Sequence, residues 1–455
     1  MYVTVVGTGY VGLVVGAGLA DFGLQVTCVD IQREKIENLA RGETTIYEPG
    51  LQELVAKNLK AGRLSFSHNL EQAVERSLVV FLTVPTDAGP DGRPDLTALF
   101  HVGEQLASAI AEYKVIVVKS TVPVGTARKL ETHIREHQSQ PVPFDIVSNP
   151  EFLREGSALE TFLRPNRVVL GHSSEYALAI VRDIYRPLYL IETPFVITDN
   201  ETAELIKYAA NSFLATKISY MNELATLCDA LGCDVHVVAK AMGLDPRIGS
   251  KFLHPGPGFG GSCLPKDTQA LVNMAADQGV EMRIVNAAIR ANEEQSGRIV
   301  EKLRAHLGSL RNKQIAVLGL AFKSNTDDVR QSPAIHICRE LLAGGAKIRA
   351  HDPVANSKAM VELGTEGMSY HSSPYEAAEG AVAVTVLTEW NDFRNLALER
   401  MKALMSGNLL VDARNIYEPS RAKALGFQYV GVGRGSTREV TSEVEKPVVL
   451  SLNPS

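Results

Sequence analysis

The chain alternates strand and helix patterns, loses this alternation near Asn200 and resumes it at Lys313. In the first third, short runs rich in β-branched residues alternate with amphipathic segments, such as the predicted helices Val11–Phe22 and Leu96–Ala111. The predicted strands are Tyr2–Val6, Gln25–Val29, Leu78–Thr83, Val115–Lys119, Phe144–Val147 and Arg167–Leu170. Such alternation is typical of a parallel sheet with crossover helices.

The middle of the chain has no strand pattern and is predicted to be helical. From Asn200, which we take as a capping residue, to Gly232 the sequence contains no internal Gly or Pro, and this predicts one long helix. A second helix is predicted at about Met282–His306. The segment between them, 254–263, is rich in Gly and Pro. Because loops on a rigid scaffold carry most binding and catalytic groups, we expect this loop to be functional.

A second strand–helix alternation follows Lys313. Its predicted elements are the helix Pro333–Ala343 and the strands Gln314–Leu318, Lys347–Ala350, Ala383–Leu387 and Leu409–Val411. We therefore predict an α/β protein with two Rossmann-like parallel-sheet domains, at 1–199 and 313–433, joined by a central all-helical domain at 200–306. The polar sequence 434–455 lacks periodicity and is predicted to be a loose tail.

Length and charge exclude several classes of protein. At 455 residues the chain is too long for one ordinary core. A net charge of -6 without any Lys/Arg run argues against nucleic-acid binding. The sequence has no stretch of about 18 uncharged apolar residues, and its start does not resemble a signal peptide. We expect no membrane span and a cytoplasmic location.

Five cysteines are scattered along the chain without a C-x-x-C pair. This spacing argues against a disulfide framework and against a zinc site, so we expect no bound metal. Four of them lie in apolar patterns and are predicted to be small core residues: Cys28, Cys228, Cys233 and Cys338. Only Cys263 lies in the glycine-rich loop.

A glycine motif directly follows the first predicted strand. Gly7 permits a tight turn, Gly9 lets the backbone approach a pyrophosphate, and Gly12 lets helix and strand pack closely. The helix that begins here offers free N–H groups to phosphates. The next strand ends in Asp30, at the spacing expected for an acid that binds ribose. These features predict a dinucleotide site, and the acid favours NAD over NADP.

Polar groups in three other segments are candidates for catalysis. Cys263 lies among glycines that can expose its sulfur, and Lys266 is expected to lower its pKa. On this segment alone, a cysteine that only caps a helix is an equally good reading. Lys207 and Asn211 lie one turn apart on the long helix, where they can hold an oxygen that becomes negative.

Two alternatives weaken these candidates when each is taken alone. Lys207 can instead be a solvated residue paired with Glu204. Glu151 and Glu155 follow a strand at the sheet edge where ligands bind, although most glutamates only solubilise a surface. Taken together, however, the candidates support one another. A thiolate that faces a bound dinucleotide can add to an aldehyde, and the adduct can then release a second hydride. The combination predicts a four-electron oxidation.

The sequence also resembles the UDP-glucose/GDP-mannose dehydrogenase family over nearly its whole length. The matching segments are Gly7–Gly12, Val84–Thr86, Lys119–Gly125, Asn149–Gly156, Lys207–Asn211, Phe259–Asp267, Gly319–Lys323 and Asp412–Arg414. The segment Lys207–Glu223 is most similar to members that oxidise UDP-glucose. The resemblance implies UDP-glucose as substrate, NAD as cofactor and a homodimer or higher homo-oligomer formed by the central helices. It further implies that the second α/β domain binds UDP.

The resemblance also implies roles for individual residues. Cys263 is expected to be the nucleophile, and Lys207 is expected to stabilise the oxyanion. Asp267 and Thr121 are expected to position the catalytic water, and Glu151 to assist thioester hydrolysis. The residues expected to contact NAD are Gly7, Gly9, Val11, Gly12, Asp30, Lys35, Thr86, Thr121, Glu155, Lys266 and Arg330. Those expected to contact the sugar nucleotide are Glu151, Phe152, Leu153, Arg154, Glu155, Lys207, Asn211, Phe252, Leu253, His254, Pro255, Gly256, Gly260, Phe322, Lys323, Arg414 and, from a partner subunit, Arg247.

Two features limit this transfer of roles. The first turn of the second α/β domain, Gly319–Phe322, lacks the three-glycine motif, so we expect no second NAD there. His254 stands where some relatives have lysine, which leaves one phosphate contact open. Two other functions stay open: the same chemistry on GDP-mannose or a UDP-N-acetylhexosamine, and a nucleotide-binding regulator without turnover.

Overall fold

The computed structural model describes residues 1–435, and its first sheet lies in the N-terminal part of the chain. The strands are Tyr2–Val6 (β1), Gln25–Val29 (β2), Leu64–Ser67 (β3), Val79–Leu82 (β4), Lys114–Val118 (β5), Phe144–Ser148 (β6), Val168–Gly171 (β7) and Phe195–Thr198 (β8). Their order across the sheet is β3-β2-β1-β4-β5-β6-β7-β8. Neighbouring strands are parallel except β6 and β7, which meet in antiparallel orientation at Ser148 and Gly171.

Helices cover both faces of this sheet. They are Tyr10–Asp21 (α1), Arg33–Ala40 (α2), Leu51–Lys60 (α3), Leu70–Arg76 (α4), Thr97–Ala109 (α5), Thr126–His137 (α6), Ala158–Leu163 (α7) and Glu175–Ile184 (α8), with a 3-10 helix at Arg186–Ile191. All four residues of β4 and all five of β5 are buried, because a parallel strand with helices on both faces has no solvent side. Two separate hydrophobic clusters lie against the two faces.

Four helices follow without an intervening strand. They are Asn200–Leu231 (α9), Val235–Gly243 (α10), Leu264–Asp277 (α11) and Arg283–Leu307 (α12). The capping residue of α9 is Asp199, whose carboxylate accepts the N–H of Thr202 at 2.7 Å, so our assignment of the cap to Asn200 is wrong. The Asn200 side chain instead accepts the N–H of Ser148 at 2.8 Å. This bond ties the start of the long helix to the end of β6.

The second sheet contains Gln314–Leu318 (β9), Lys347–His351 (β10), Met368–Tyr370 (β11), Ala383–Val386 (β12), Leu409–Asp412 (β13) and Gln428–Gly431 (β14). Its helices are Pro333–Ala343 (α13), Asn356–Leu363 (α14), Pro374–Ala378 (α15), Asn391–Arg394 (α16), Leu398–Leu404 (α17) and Pro419–Ala424 (α18). The parallel order β11-β10-β9-β12-β13-β14 is the doubly wound order of a Rossmann fold, and the first six strands of the other sheet repeat it. The predicted fold class is confirmed.

Four strands have no predicted counterpart: β3, β8, β11 and β14. They are the edge strands of the two described sheets. Each is three or four residues long and only partly buried. An edge strand is exposed on one side and lacks the continuous apolar run that marks a central strand. Their absence from the prediction therefore has a physical reason.

The central helices share a core with the second sheet. Met221 of α9 and Leu303 of α12 belong to the same buried cluster as Ile315 and Val317 of β9. The boundaries at 199, 306 and 313 remain our proposed division of the chain. The predicted tail lies outside the described residues except at its start, where Arg434 forms an ion pair with Asp234 at 3.1 Å.

Two other expectations concern cysteines and membrane spans. Cys28, Cys228 and Cys338 are buried as predicted, but Cys233 is exposed, because it follows the left-handed turn at Gly232 that ends α9. The prediction of a core position for Cys233 is wrong. Among residues 1–435, no helix combines the length and the apolar character needed to cross a membrane.

Candidate active site

A cleft of about 1020 Å³ lies at the carboxyl ends of the first sheet. Its walls come from three parts of the chain: the turns after β1, β4 and β5, the central loop with Cys263, and residues 326–330 of the second α/β domain. Ligands of open α/β sheets bind at this edge. Most of the predicted cofactor residues line the cleft: Gly7, Gly9, Val11, Asp30, Lys35, Thr86, Thr121, Glu155, Lys266 and Arg330.

The three glycines after β1 have different surroundings. Gly7 has a φ of 96°, and a Cβ on it would lie 2.9 Å from the carbonyl oxygen of Thr83. A Cβ on Gly12 would lie 1.8 Å from the carbonyl oxygen of Gly7, so this residue lets α1 start directly behind the turn. A Cβ on Gly9 would meet nothing within 4 Å. That open space faces the cleft at the start of α1, where it fits a pyrophosphate.

Asp30 lies at the end of β2 beside this turn. Its carboxylate accepts the backbone N–H of Thr8 at 2.9 Å and the Thr8 hydroxyl at 2.7 Å, and it pairs with Lys35 at 3.1 Å. Although burial opposes ionisation, these contacts hold the pKa of Asp30 below its usual value. A negative charge is therefore fixed where the second strand meets the cofactor cleft.

Cys263 occupies the N-cap position of α11, and its sulfur lies 3.6 Å from the hydroxyl oxygen of Ser262. Burial, with the nearby Glu151 carboxylate, raises the pKa of the thiol to about 11, while Lys207 opposes this rise. The expectation that Lys266 performs this task is wrong, because its ammonium pairs with Asp267 at 2.6 Å. In the free protein Cys263 is thus a thiol at neutral pH.

A buried ion pair behind Cys263 joins Lys207 to Glu151. The ammonium and carboxylate lie 2.8 Å apart, and both residues are buried. Burial opposes charge on both groups, yet their attraction keeps the pKa of Lys207 raised and that of Glu151 lowered. One turn along α9, the Asn211 amide donates to Asp267 at 2.6 Å. Cys263, Lys207, Asn211, Asp267 and Glu151 therefore form one cluster.

The alternative partner for Lys207 is excluded by the position of Glu204. The Glu204 carboxylate accepts the backbone N–H groups of Gly125 at 2.6 Å and Ala127 at 2.8 Å, at the start of α6. It therefore links α9 to the loop that carries Thr121. Lys207 is not a solvated residue paired along its own helix.

Glu155 lies where three parts of the chain meet. Its carboxylate oxygens are 3.4 Å from the hydroxyls of Ser262 in the central loop and Thr326 in the second α/β domain. Burial and the neighbouring Asp328 raise the pKa of Glu155 to about 7, although Arg330 at 4.0 Å counteracts them. This carboxyl group can therefore change its protonation state near neutral pH.

The residues predicted for the sugar nucleotide form a path from Cys263 toward the second sheet. The Phe322 ring lies against Gly261, where a Cβ would be 2.8 Å from the ring. Arg414 donates to the Phe322 carbonyl at 2.9 Å, and its guanidinium lies next to Gly256. Phe152 lies under the Lys207 ammonium, and Leu153 lines the cleft wall. Leu253 and Pro255 are buried in the central loop, where Gly260 packs on Gln331. Lys323 lies near Glu155.

Three of the residues predicted for the sugar nucleotide are exposed to solvent. Arg154 and His254 are exposed, and exposed Arg247 forms hydrogen bonds with Asp245 only two residues away. Phe252 has a φ of 62°, a backbone conformation that costs on the order of 1 kcal/mol and is found mainly at functional sites. The predicted contacts of Arg247 and His254 stay predictions.

Three family models match the chain in order. They describe the NAD binding domain (residues 1–189), the central domain (201–294) and the UDP binding domain (316–419) of the UDP-glucose/GDP-mannose dehydrogenase family. The chain belongs to this family. Its first domain is accordingly an NAD-binding domain, as the glycine turn and Asp30 predicted.

Individual family members are similar over nearly the whole chain. UDP-glucose 6-dehydrogenase of Rhizobium meliloti is 46% identical over 440 residues, which are 95% of this chain and 100% of the relative. That of Bacillus subtilis known as TuaD is 42% identical, over 96% of this chain and 94% of its own. The structure of a UDP-glucose dehydrogenase from Pyrobaculum islandicum has a TM-score of 0.88 and 39% identity, covering 95% and 97% of the two chains.

Several well-placed residues of this family member had no assigned role in the sequence analysis. Glu48 accepts the N–H groups of Gly156 at 2.6 Å and Ala158 at 2.7 Å, and the Tyr10 hydroxyl also donates to it. It thus holds the segment that follows Glu155. Lys119 is buried beside Glu151. Lys119 gave a signal as the last residue of a predicted strand and the first residue of the matching segment Lys119–Gly125, and Glu48 gave none.

The two glycine environments predict opposite effects of one added methyl group. Gly12→Ala should lower the free energy of unfolding by about 1–3 kcal/mol, because its Cβ overlaps the backbone at Gly7. Gly9→Ala should fold like the wild type but bind NAD at least tenfold more weakly, because its Cβ enters the pyrophosphate space. Calorimetry of unfolding and of NAD binding measures both effects. Weakened folding with intact NAD binding in Gly9→Ala would contradict the assignment.

The environment of Cys263 predicts slow alkylation at neutral pH. Because its pKa is raised to about 11, the rate of iodoacetamide labelling should rise about tenfold for each pH unit between 7 and 9.5 without a plateau. Peptide mass spectrometry measures this rate, with the exposed Cys233 in the same sample as the reagent control. A plateau for Cys263 below pH 8 would show that the thiol is already activated in the free protein.

Proposed function

We propose that the protein is a UDP-glucose 6-dehydrogenase that oxidises the C6 alcohol of UDP-glucose to a carboxylate through a covalent bond to Cys263. The observation that carries this proposal is the cluster of Cys263, Lys207 and Glu151 at the wall of an NAD cleft. A two-electron oxidation of an alcohol has no use for a buried thiol. The names of the relatives with 39–46% identity supply the substrate.

In the first half of the reaction, the C6 hydroxyl proton passes to a water held by Asp267 and Thr121. When bound, NAD accepts one hydride from the sugar in each of the two oxidations. The resulting aldehyde carries partial negative charge on oxygen, which the Lys207 ammonium and the Asn211 amide stabilise. Burial of Lys207 strengthens this stabilisation, because a charge acts more strongly at low dielectric.

In the second half, the Cys263 sulfur bonds to C6 and the thiol proton moves to the aldehyde oxygen, giving a thiohemiacetal. Loss of a second hydride and of the hydroxyl proton leaves a thioester. Water then attacks the carbonyl carbon while Glu151 takes one of its protons, the C–S bond breaks, and that proton returns to the sulfur. The product acid ionises, so one sugar, one water and two NAD give one carboxylate, two NADH and three protons, which leave to solvent.

Related family members mark the alternative substrates. The structure of a UDP-D-ManNAc dehydrogenase from Pyrococcus horikoshii has a TM-score of 0.84 but only 27% identity. The structure of a GDP-mannose dehydrogenase from Pseudomonas aeruginosa has a TM-score of 0.53 and 29% identity. The higher identity of the UDP-glucose enzymes favours UDP-glucose over both.

We also propose that the protein forms a homodimer through α9. Phe213, Tyr220 and Leu227 follow one another at seven-residue spacing and share one face of this helix. Their exposed fractions are 66%, 48% and 51%, which is high for large apolar side chains on one face. A second copy of α9 would cover them and bring the exposed Arg247 of one subunit toward the other subunit's site.

The oxidation is tested by counting NADH. With wild-type protein, NAD and a panel of UDP-glucose, GDP-mannose and a UDP-N-acetylhexosamine, we expect two NADH per UDP-glucose and little reaction with the others. Cys263→Ala should bind UDP-glucose but form no acid. If only another nucleotide sugar reacts, that sugar is the substrate. Binding without turnover of any sugar would favour a nucleotide-binding regulator. Acid formation by Cys263→Ala at the wild-type rate would exclude the covalent route.

The dimer is tested by sedimentation equilibrium. The wild type should sediment as a dimer or larger assembly, and Phe213→Asp combined with Leu227→Asp should sediment as a monomer. Val361→Asp is the matched control, since Val361 is 88% exposed on α14 of the second α/β domain. A monomeric wild type, or an unchanged mass in the double variant, would refute the proposed interface.

A further inference from the structure

Lys119 is a buried residue that has no role in the proposed mechanism. Lys119 directly follows β5 and is only 6% exposed. Its ammonium donates to the side-chain oxygen of Asn149 at 3.1 Å and to the Asn149 carbonyl at 3.3 Å. Within residues 1–435, it makes no ion pair with a carboxylate. A buried ammonium held by neutral oxygens alone is costly unless a negative charge lies nearby.

That negative charge belongs to Glu151, two residues beyond Asn149. The turn between them is held from several sides: the Asn149 N–H donates to the Val118 carbonyl at 2.9 Å, and the Tyr185 hydroxyl donates to the Asn149 side chain at 2.6 Å. Lys119 and Tyr185 therefore hold the same amide oxygen, one with a charge and the other without. Both fix the course of the chain into Glu151.

The titratable groups that face Glu151 come from four elements. Lys207 lies on α9, Lys119 follows β5, Arg167 precedes β7, and the Cys263 thiol faces it from the central loop. Lys119 itself faces Glu151 and Lys207, and burial lowers its pKa to about 8, so it is mainly charged at neutral pH. Of these cations, only Lys207 lies within ion-pair distance of Glu151 in the described chain.

The single ammonium of Lys207 has two partners in the proposed reaction, Glu151 and the oxygen on C6. In the proposed reaction it must turn toward the oxygen on C6, which draws it away from Glu151. A buried Glu151 without a counter-charge would take up a proton and could no longer accept one from water. A second, stationary cation behind the pair removes this conflict.

We propose that Lys119 is a positioning residue for thioester hydrolysis: its ammonium fixes the Asn149–Glu151 turn and keeps Glu151 ionised while Lys207 serves the substrate oxygen. This inference depends on the proposed function, because it assigns Lys119 to the last step of that reaction. Lys119 does not contact the reacting atoms. It acts through Glu151, so its loss should affect hydrolysis and spare the first hydride transfer.

The test separates charge from structure with three variants. Lys119→Met removes the charge, Lys119→Arg keeps it, and Tyr185→Phe removes the other donor to the Asn149 side chain without changing any charge. Stopped-flow measurement of NADH gives the rapid first turnover, and rapid quenching with mass spectrometry gives the rate of thioester loss between pH 5 and 9. Lys119→Gln, which also removes the charge, replaces Lys119→Met if that variant does not fold.

In Lys119→Met we expect the first NADH to form at a near-normal rate while thioester loss slows about tenfold on the acid side. The acid limb of thioester loss should move up by on the order of one pH unit, because Glu151 loses a nearby cation. Lys119→Arg should restore the wild-type limb, and Tyr185→Phe should leave the limb in place even if its rate falls.

Three results would overturn the inference. They are an unmoved acid limb in the uncharged variants, an equal shift in Tyr185→Phe, and equal slowing of both phases. Failure of the wild type to form any thioester would instead overturn the proposed function. The two failures are therefore distinguishable.

Discussion

The buried ion pair between Lys207 and Glu151 is the interaction on which this active site depends. It joins the long central helix to the loop after β6, across 56 residues of sequence, at 2.8 Å. Desolvation opposes ionisation of both groups, and their mutual attraction is the largest effect that favours the charged form of each. Removing one partner would leave a buried, unpaired charge, which is far more costly than losing an exposed pair.

Neighbouring contacts keep the two partners in place. Asn200 holds the end of β6, and Glu204 holds the start of α6, so α9 is fixed at two positions in the turns that precede Lys207. The two partners have opposite effects on the pKa of Cys263: Glu151 favours the thiol and Lys207 favours the thiolate. A movement of Lys207 toward Cys263 and the sugar oxygen would favour the thiolate in the occupied site only. A resting thiol is thereby protected from oxidation.

Much of this arrangement could be predicted from the sequence, and the failures have physical reasons. The central strands, the long helix and the glycine turn were found because continuous burial and backbone geometry constrain their residues strongly. The edge strands were missed because each is short and only partly buried. Local pattern also suggested Glu204 and Lys266 as the partners of Lys207 and Cys263, since both lie nearby in sequence. The observed partners come from distant segments, and no local pattern records such a pairing.

In the proposed reaction, Cys263 carries the substrate as a thioester until Glu151 helps water to release it. The most direct test is the intact mass of Glu151→Gln after mixing with UDP-glucose and NAD, followed by peptide mapping. We expect the protein to gain the mass of the UDP-glucuronyl group, located on Cys263, and two NADH to form for each adduct. An unmodified Cys263 in a variant that has released two NADH per sugar without free acid, or an adduct on another residue, would contradict it.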